Sequence, residues 1–432
     1  MSESRPPMHL LIVSGGRDLP DRARDAWPGL RTTVICRPEV VPRLRSRAKI
    51  ERLIVLSQDA PVDEWVAAAR FVHAVDPVDR LTNFTEKDTE KTAAIGVALG
   101  LAWHAPETVR AVSDKCVMRR VLTEAGLDDT VSEVVHDAEG IRKVAERVGY
   151  PLICKPVRGV ASKGVTRLDG PGDIPRALEW GASGAFDLDS SDLLVEQFRS
   201  GDEYSVESVS EEGEHLVVGV TRKISEHDHF VEVGHVVPAP LPAADVDRIA
   251  RTVRDMLTAL GLRTGVTHTE VIVSPDTVFV VETHLRPAGD EIPELWARIS
   301  GVDMIDIVAR QSVGIPVLDA VRTVLAQDQD KPRCAAIWYA CPDAVGEIVS
   351  VEGEDRAREL PGVVDVEVLR GPGKRLKGVT GSFARAAHVC AVGDTQEEAL
   401  QRAQDGVRQL SFTVKSEGMP ARHDALTATP SR

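Results

Sequence analysis

The sequence predicts a multidomain chain of mixed α/β and α+β class, and three observations carry that expectation. Strand and helix signals alternate through the first hundred residues, a β-rich centre follows from residue 113, and short strands with one capped helix fill the segment beyond residue 316. At 432 residues the chain is too long for one hydrophobic core of ordinary size. The expected limits are an N-terminal parallel α/β domain over 1–112, a central two-part domain over 113–315, a C-terminal α+β domain over 316–420 and a flexible tail over 421–432.

Each element has its own signal. His9-Leu10-Leu11-Ile12-Val13, Thr32 to Cys36 and Arg52 to Leu56 read as strands, and Val62 to Val72 as a helix. Gly15-Gly16 reads as a structural turn, because the full G-x-G-x-x-G phosphate spacing is missing. Thr85 with Asp88 reads as a capping box opening a helix through Lys91 and Ile95 to Leu99, which Gly100 would end. Ser113 or Asp114 can cap a helix from Lys115 to Ala125, stopped by Gly126. Two β-rich stretches, Pro151 to Leu168 and Leu193 to Val220, flank a polar connection from Gly170 to Asp192. Ile249, Val253, Met256 and Leu260 share a helical face that ends at Gly261. Strands Gly265 to Val273 and Thr277 to Glu282 then follow, joined by the turn-forming Ser274-Pro275-Asp276. The C-terminal strands are Ala335 to Tyr339, Gly346 to Val351, Val363 to Leu369 and Ala384 to Val392, and Thr395 with Glu398 caps the last helix.

Composition excludes several classes. Lys and Arg total 52 against 67 Asp and Glu, a formal charge of -15, which rules against a large nucleic-acid footprint. Six cysteines without a C-x-x-C pair speak against a zinc site and a disulfide framework alike, and read as reduced core thiols. The apolar run after Met1 is too short for a secretory signal and no stretch is long enough to span a bilayer, so a cytoplasmic location is expected.

Three segments carry chemistry. In Gly265-Val-Thr-His268-Thr-Glu270, followed by Val280-Val-Glu282-Thr-His284-Leu-Arg286-Pro-Ala-Gly289-Asp290, pairing of the two strands would set Glu270 beside Glu282. Two such carboxylates repel unless a cation sits between them, and Mg2+ suits hard oxygen ligands with phosphates completing its shell. Arg286 adds a fixed positive fork for phosphate. The second segment, Pro151 to Pro156, ends a buried-looking strand on Lys155 and leads into Arg158 to Val165. There Ser162, Lys163 and Gly164 suit a loop that closes over phosphates; it is not a Walker loop, and the alternative reading is a Gly-rich hairpin. In the third, Leu193 to Glu207, the strand through Glu196, Gln197 and Phe198 could face an adenine and Glu203 could accept from ribose hydroxyls, although an ordinary hairpin would read the same.

In this order the three segments resemble the ATP-grasp superfamily over most of the chain. The resemblance implies an ATP-grasp fold whose central domain clamps ATP between two sheets. It points Lys115 and Lys155 at the phosphates, Glu196 and the Gln197-Phe198 backbone at adenine and Glu203 at ribose, with Glu270 and Glu282 on magnesium. Within the superfamily the chain is most similar to L-amino-acid ligases of the alanine–anticapsin ligase type. That narrower likeness rests on Phe230-Val-Glu232-Val-Gly-His235-Val-Val-Pro238 and on Glu282-x-x-x-Arg286, and it implies Glu232 and His235 at the amine substrate. His284 stands where the common pattern has Asn, so one Mg2+ is implied rather than two, with Mn2+ as a substitute ion.

The implied reaction phosphorylates a substrate carboxylate with ATP and then forms an amide by attack of an amine, with Arg286 steadying the transferring phosphoryl group. Small amino-acid or carboxylate substrates and a homodimer are expected, with neither nucleic acid nor membrane as partner. The competing expectations are a biotin-carboxylase-like or purine-pathway ligase of the same fold, and a nucleotide-binding protein without chemistry. Trp296 reads either as a wall of the substrate pocket or as a core residue.

Overall fold

The computed structural model describes residues 7–16, 18–157, 164–184, 192–225, 231–327, 332–378, 384–415 and 420–424. The predicted Ser162 and Lys163 lie outside them, as does Phe230.

Near the N-terminus four parallel strands lie in the order Arg52–Val55, Arg31–Cys36, His9–Val13, Arg80–Asn83. The five residues of His9–Val13 are all buried, as the centre of a two-sided sheet requires. Leu10 and Ile12 pack with Leu19, Ala23 and Val34 on one face, and Leu11 and Val13 with Trp65, Ala69 and Val72 on the other. The expected helix over 62–72 spans Val62–Val75. The helix expected from Thr85 begins later, at Thr89, and Gly100 ends it at φ 65°. Asp88 is itself left-handed at φ 64° and does not cap; its buried carboxylate instead accepts from the distant Ser14 and Arg37 and from Lys91 one turn on, which outcompete a cap.

Two sheets enclose the cleft. The smaller is antiparallel in the order Ser132–Val135, Leu193–Gln197, Leu152–Pro156, Thr166–Leu168. Its back is covered by helices Ala138–Val148 and Ile174–Gly184, which meet it through Ile141, Val144, Ile174 and Ala177. The second helix occupies what the sequence suggests is a polar connection; Ile174, Ala177 and Leu178 supply the apolar stripe that sheds water against the sheet.

The larger sheet has eight antiparallel strands. Their order is Val278–His284, Gly265–Val273, Asp202–Glu211, Glu214–Ser225, Glu232–Val237, Cys334–Ala340, Ala387–Gly393, Val363–Val368. Strands from both sides of residue 316 therefore share one sheet and one apolar core, in which Trp296, Trp338 and Phe412 are buried. Trp296 is a core residue: it is 5% exposed, lies over Gly219 and donates from its indole to Thr221 at 3.0 Å. The last sheet, Arg375–Lys377, Val345–Glu352, Ser411–Lys415 and Pro420–Asp424, takes in the first residues of the expected tail, because the Phe412 strand offers them an open edge. All six cysteines are free thiols.

Candidate active site

Asp114 opens the wall of the cleft by accepting from the backbone N–H groups of Cys116 and Val117, which starts helix Lys115–Glu124 and fixes Lys115 at its first turn. Across the cleft the Ser274 to Thr277 turn holds strands Gly265–Val273 and Val278–His284 in the register that places Glu270 directly opposite Glu282. A bulge after Glu270 then shifts the ladder without separating the pair.

Each oxygen of the two carboxylates faces a cation. Lys115 is 2.8 Å from Glu282 Oε2 and His284 3.2 Å from Oε1; Lys223 is 2.9 Å from Glu270 Oε2 and His268 3.7 Å from Oε1. Burial alone would raise both carboxyls. Lys223 and then His268 outweigh it at Glu270, and Lys115 and then His284 at Glu282, so both are held below the usual carboxylate range. Burial likewise opposes charge on His268, but Glu207 at 2.8 Å and Glu270 lift it to about 10. His284 is raised against its burial by Glu282 and Glu86.

Two ionised carboxylates side by side, compensated by side-chain cations, fit a Mg2+ ion that takes oxygen ligands and would displace those cations. His284 already bonds Glu282 at 3.2 Å and offers no carboxamide oxygen, which stands against a second ion there.

The chain of charges continues beyond this pair. Glu86, from the loop after strand Arg80–Asn83, lies 3.4 Å from His284 and 2.9 Å from Arg286, so the N-terminal domain reaches into the cleft. Burial opposes ionisation of Glu86, yet His284 and Arg286 bring it down to about 2. On the small sheet Glu196 lies between Lys155 at 2.5 Å and Arg119 at 2.6 Å, and these hold it at about 2 against its burial. Arg119 also bonds Asp128 at 2.8 Å and the carbonyls of Val280 and Val281, tying the helix to both sheets. Its guanidinium fork suits several acceptors at once.

Ile153, Val165, Phe198, Ile272, Phe279 and Val280 line the same cavity and make its far end apolar. Glu203 sits at its rim, 3.8 Å from Lys223, with its carboxyl raised by burial. Gly164 borders the cleft beside Val165 at φ 83°. The Gln197 and Phe198 strand is inner rather than an edge at this point. The Gln197 N–H donates to Val131 at 2.9 Å and that of Phe198 to Pro151 at 3.3 Å, which leaves neither as a free donor.

A second cluster adjoins the carboxylate pair. Lys223 bonds Glu232 at 2.8 Å as well as Glu270, and so links the two. His235 is 1% exposed and bonds Asp290 at 3.1 Å; Arg385 grips both oxygens of Asp290 at 2.6 and 2.9 Å and stacks over Tyr339. Asp290 and Glu291 are consecutive left-handed residues at φ 58° and 57°, a costly backbone that the bidentate Arg385 bond holds in place.

Arg286 is the predicted residue that stands apart: its partners are Glu86 and the carbonyl of Pro287, not the carboxylate pair. Missing from the sequence-predicted site are Lys223, Arg119, Glu86 and Arg385, while His268 and Asp290 stand in the motif without a role. Lys223 carried one local signal, since it alternates with the buried Thr221 on a strand leading toward Glu232. Glu86 and Arg385 carried none.

Residues 148–294 match the family model of the ATP-grasp domain, so this central part of the chain is an ATP-grasp domain. Residues 338–415 match the model described as L-amino acid ligase C-terminal domain 2, which makes that part of the chain of the L-amino-acid-ligase type. The fold is similar to the crystal structure of the L-amino acid ligase from Bacillus licheniformis, with a TM-score of 0.79 at 20% identity over 95% of this chain and 100% of that one. The uncharacterized protein y4rH of Sinorhizobium fredii is 28% identical over 310 residues, 72% of this chain and 63% of that protein. The alanine–anticapsin ligase of Bacillus subtilis is 25% identical over 280 residues, 58% of this chain and 57% of that protein. The chain thus spans somewhat under two thirds of the length of these two relatives. Formate-dependent phosphoribosylglycinamide formyltransferases are relatives too. Among the described residues no helix is long and apolar enough to cross a membrane.

Proposed function

We propose that this protein is an ATP-dependent carboxylate–amine ligase that joins two amino acids through an acyl phosphate. The observation that carries the reading is the lysine bridge between two sites: Lys223 bonds Glu270 of the carboxylate pair and Glu232 of the neighbouring His235–Asp290 cluster, so phosphoryl chemistry and an amine pocket share one cleft. The L-amino-acid-ligase match of the C-terminal part supports the same substrate class.

The apolar end of the cleft would take the adenine, and Lys115 and Lys155 would lie along the phosphates. Glu270 and Glu282 would hold Mg2+, which neutralises charge on the phosphates when bound. An oxygen of the substrate carboxylate attacks the γ-phosphorus, the bond to the bridging oxygen breaks and ADP departs. The amine nitrogen of the second substrate then attacks the acyl carbon; phosphate leaves and the amide remains. Glu232 would bind the ammonium group, and His235, buried and fixed through Nε2 by Asp290, would accept the proton that the nitrogen loses. Arg286, delivered by Glu86, would meet the charge on the transferring phosphoryl group.

Phosphate release measured over pairs of amino acids tests the proposal. Release that requires two amino acids, with a dipeptide or γ-glutamyl product by mass spectrometry, is expected. Release that instead needs bicarbonate or a phosphorylated amine would replace it with the carboxylase or purine-pathway reading, and no release with any pair would leave a nucleotide-binding protein.

A further inference from the structure

At the outer edge of the eight-stranded sheet four metal-ligating side chains share one face. Strands Val363–Val368 and Ala387–Gly393 pair antiparallel with Asp365 opposite Cys390 and Glu367 opposite His388. Residues two apart on a strand, and those directly across the ladder, project to the same side. The four therefore form a square. Val366 and Val389 project to the opposite side, where Val389 packs under Gly406 of helix Gln396–Arg408.

The distances suit a small ion. His388 Nε2 lies 3.1 Å from Asp365 and 4.0 Å from Glu367, and the His388 nitrogen, the Cys390 sulfur and an Asp365 oxygen all fall within 4.8 Å of one another. Ligands held at roughly 2.0–2.3 Å around a tetrahedral zinc ion are about 3.3–3.6 Å apart, so Asp365 and His388 already stand close to that spacing, while the Cys390 thiol and the exposed Glu367 side chain would have to close in. His388 and Cys390 are buried, whereas the Asp365 and Glu367 side chains are 48% and 58% exposed. An ion can thus enter past the carboxylates and be enclosed by imidazole and thiol.

We propose that Asp365, Glu367, His388 and Cys390 bind a divalent cation of the zinc class that staples the edge strand Val363–Val368 to the sheet. One sulfur, one nitrogen and two oxygens is a donor set that zinc takes and magnesium does not, which separates this site from Glu270 and Glu282. Metal binding forms the sulfur–metal bond and releases the thiol proton, which burial otherwise retains on Cys390. The staple also borders the substrate end of the sheet: the Tyr339 ring meets His388 edge-on at 5.8 Å and His235 at 6.5 Å.

Cobalt is a suitable probe, because Co2+ takes zinc's geometry and a thiolate ligand gives it a sulfur-to-metal charge-transfer band. Chelator-treated full-length protein titrated with Co2+ should develop this band up to one ion per chain, lose it on addition of Zn2+, and keep it in the Glu282→Gln variant. The band should vanish in Cys390→Ser. In Asp365→Asn, whose exposed side chain makes misfolding no obstacle, cobalt affinity should fall at least about tenfold, the scale on which weakened ligation is felt. Zn2+ should also raise the Tm of the native chain more than that of Asp365→Asn. Absence of a charge-transfer band, its persistence in Cys390→Ser, or an unchanged cobalt affinity in Asp365→Asn would overturn the proposal.

Discussion

Lys223→Met removes the cation on which the electrostatics of the cleft depend. Its Nζ lies 2.8 Å from Glu232, 2.9 Å from Glu270 and 3.8 Å from Glu203, and its side chain is only 6% exposed. Methionine approximates the stem and deletes the charge, leaving three carboxylates to repel one another where water can screen them only in part. Deleting one partner of a buried ion pair costs about 3–5 kcal/mol. Glu232 and Glu270 are 19% and 20% exposed and Glu203 37%, so solvent relieves some of the repulsion. The lower figure, about 3 kcal/mol at neutral pH, is therefore expected.

The pH dependence has a definite sign. Glu270 is depressed in the folded chain, so its stabilisation is present above an unfolded pKa of about 4.3 and disappears as pH falls through the lower folded value. Without Lys223 that contribution is largely gone, and the native chain and the variant should converge on acidification. Lys223 is raised well above the usual lysine range by Glu232, Glu270 and Glu203, which outweigh its burial. Its contribution is complete below about pH 10.4 and fades as pH rises through the folded value. Urea unfolding of the nucleotide-free protein, followed by tryptophan fluorescence and circular dichroism, measures the difference. Mg2+ should stabilise the variant more than the native chain, because it returns positive charge to Glu270. A variant within about 0.5 kcal/mol of the native protein at neutral pH would refute the reasoning, since an unrelated surface change does no more.

Three further outcomes are expected. Glu282→Ala should abolish ADP release with every substrate pair, because one of the two carboxylates proposed for the metal is gone; substantial residual turnover would contradict that assignment. His235→Ala should retain nucleotide binding by calorimetry while losing amide formation, and normal ligation would make His235 a structural residue only. In Gly219→Ala the new Cβ would lie 1.9 Å from the Trp296 ring, and since overpacking costs about 1–3 kcal/mol the Tm should fall by several degrees. An unchanged Tm would mean that Trp296 does not pack as described.

Elements with local signals were legible residue by residue. Asp114 caps its helix as the sequence suggests, Gly100 ends its own, and the Ser274-Pro275-Asp276 turn joins the two strands it was expected to join. Misreadings arose where a local signal met a distant competitor. Asp88 looked like half of a capping box, but Ser14 and Arg37 claim its carboxylate. The helix Ile174–Gly184 was hidden by flanking polar residues, and its apolar stripe acquires meaning only against the sheet it covers.

Periodicity and turn chemistry act over a few residues, and that is how far the sequence by itself determined this protein: the strand and helix order, the Glu270–Glu282 pairing across a short turn, and the motif order that marks the ATP-grasp superfamily. Tertiary structure alone decided what lies next to those carboxylates. Lys223 and Lys115 arrive from another strand and another helix; nearby, Glu86 reaches His284 and Arg286 from the loop after strand Arg80–Asn83, and Arg385 reaches Asp290 from beyond residue 316. The proposed cation site has the same origin, since only strand register sets Cys390 opposite Asp365 and His388 opposite Glu367. Charge interactions depend on separation in space, and residues 281 or 95 positions apart, such as Arg22–Asp303 and Arg385–Asp290, become neighbours only when the sheets have formed.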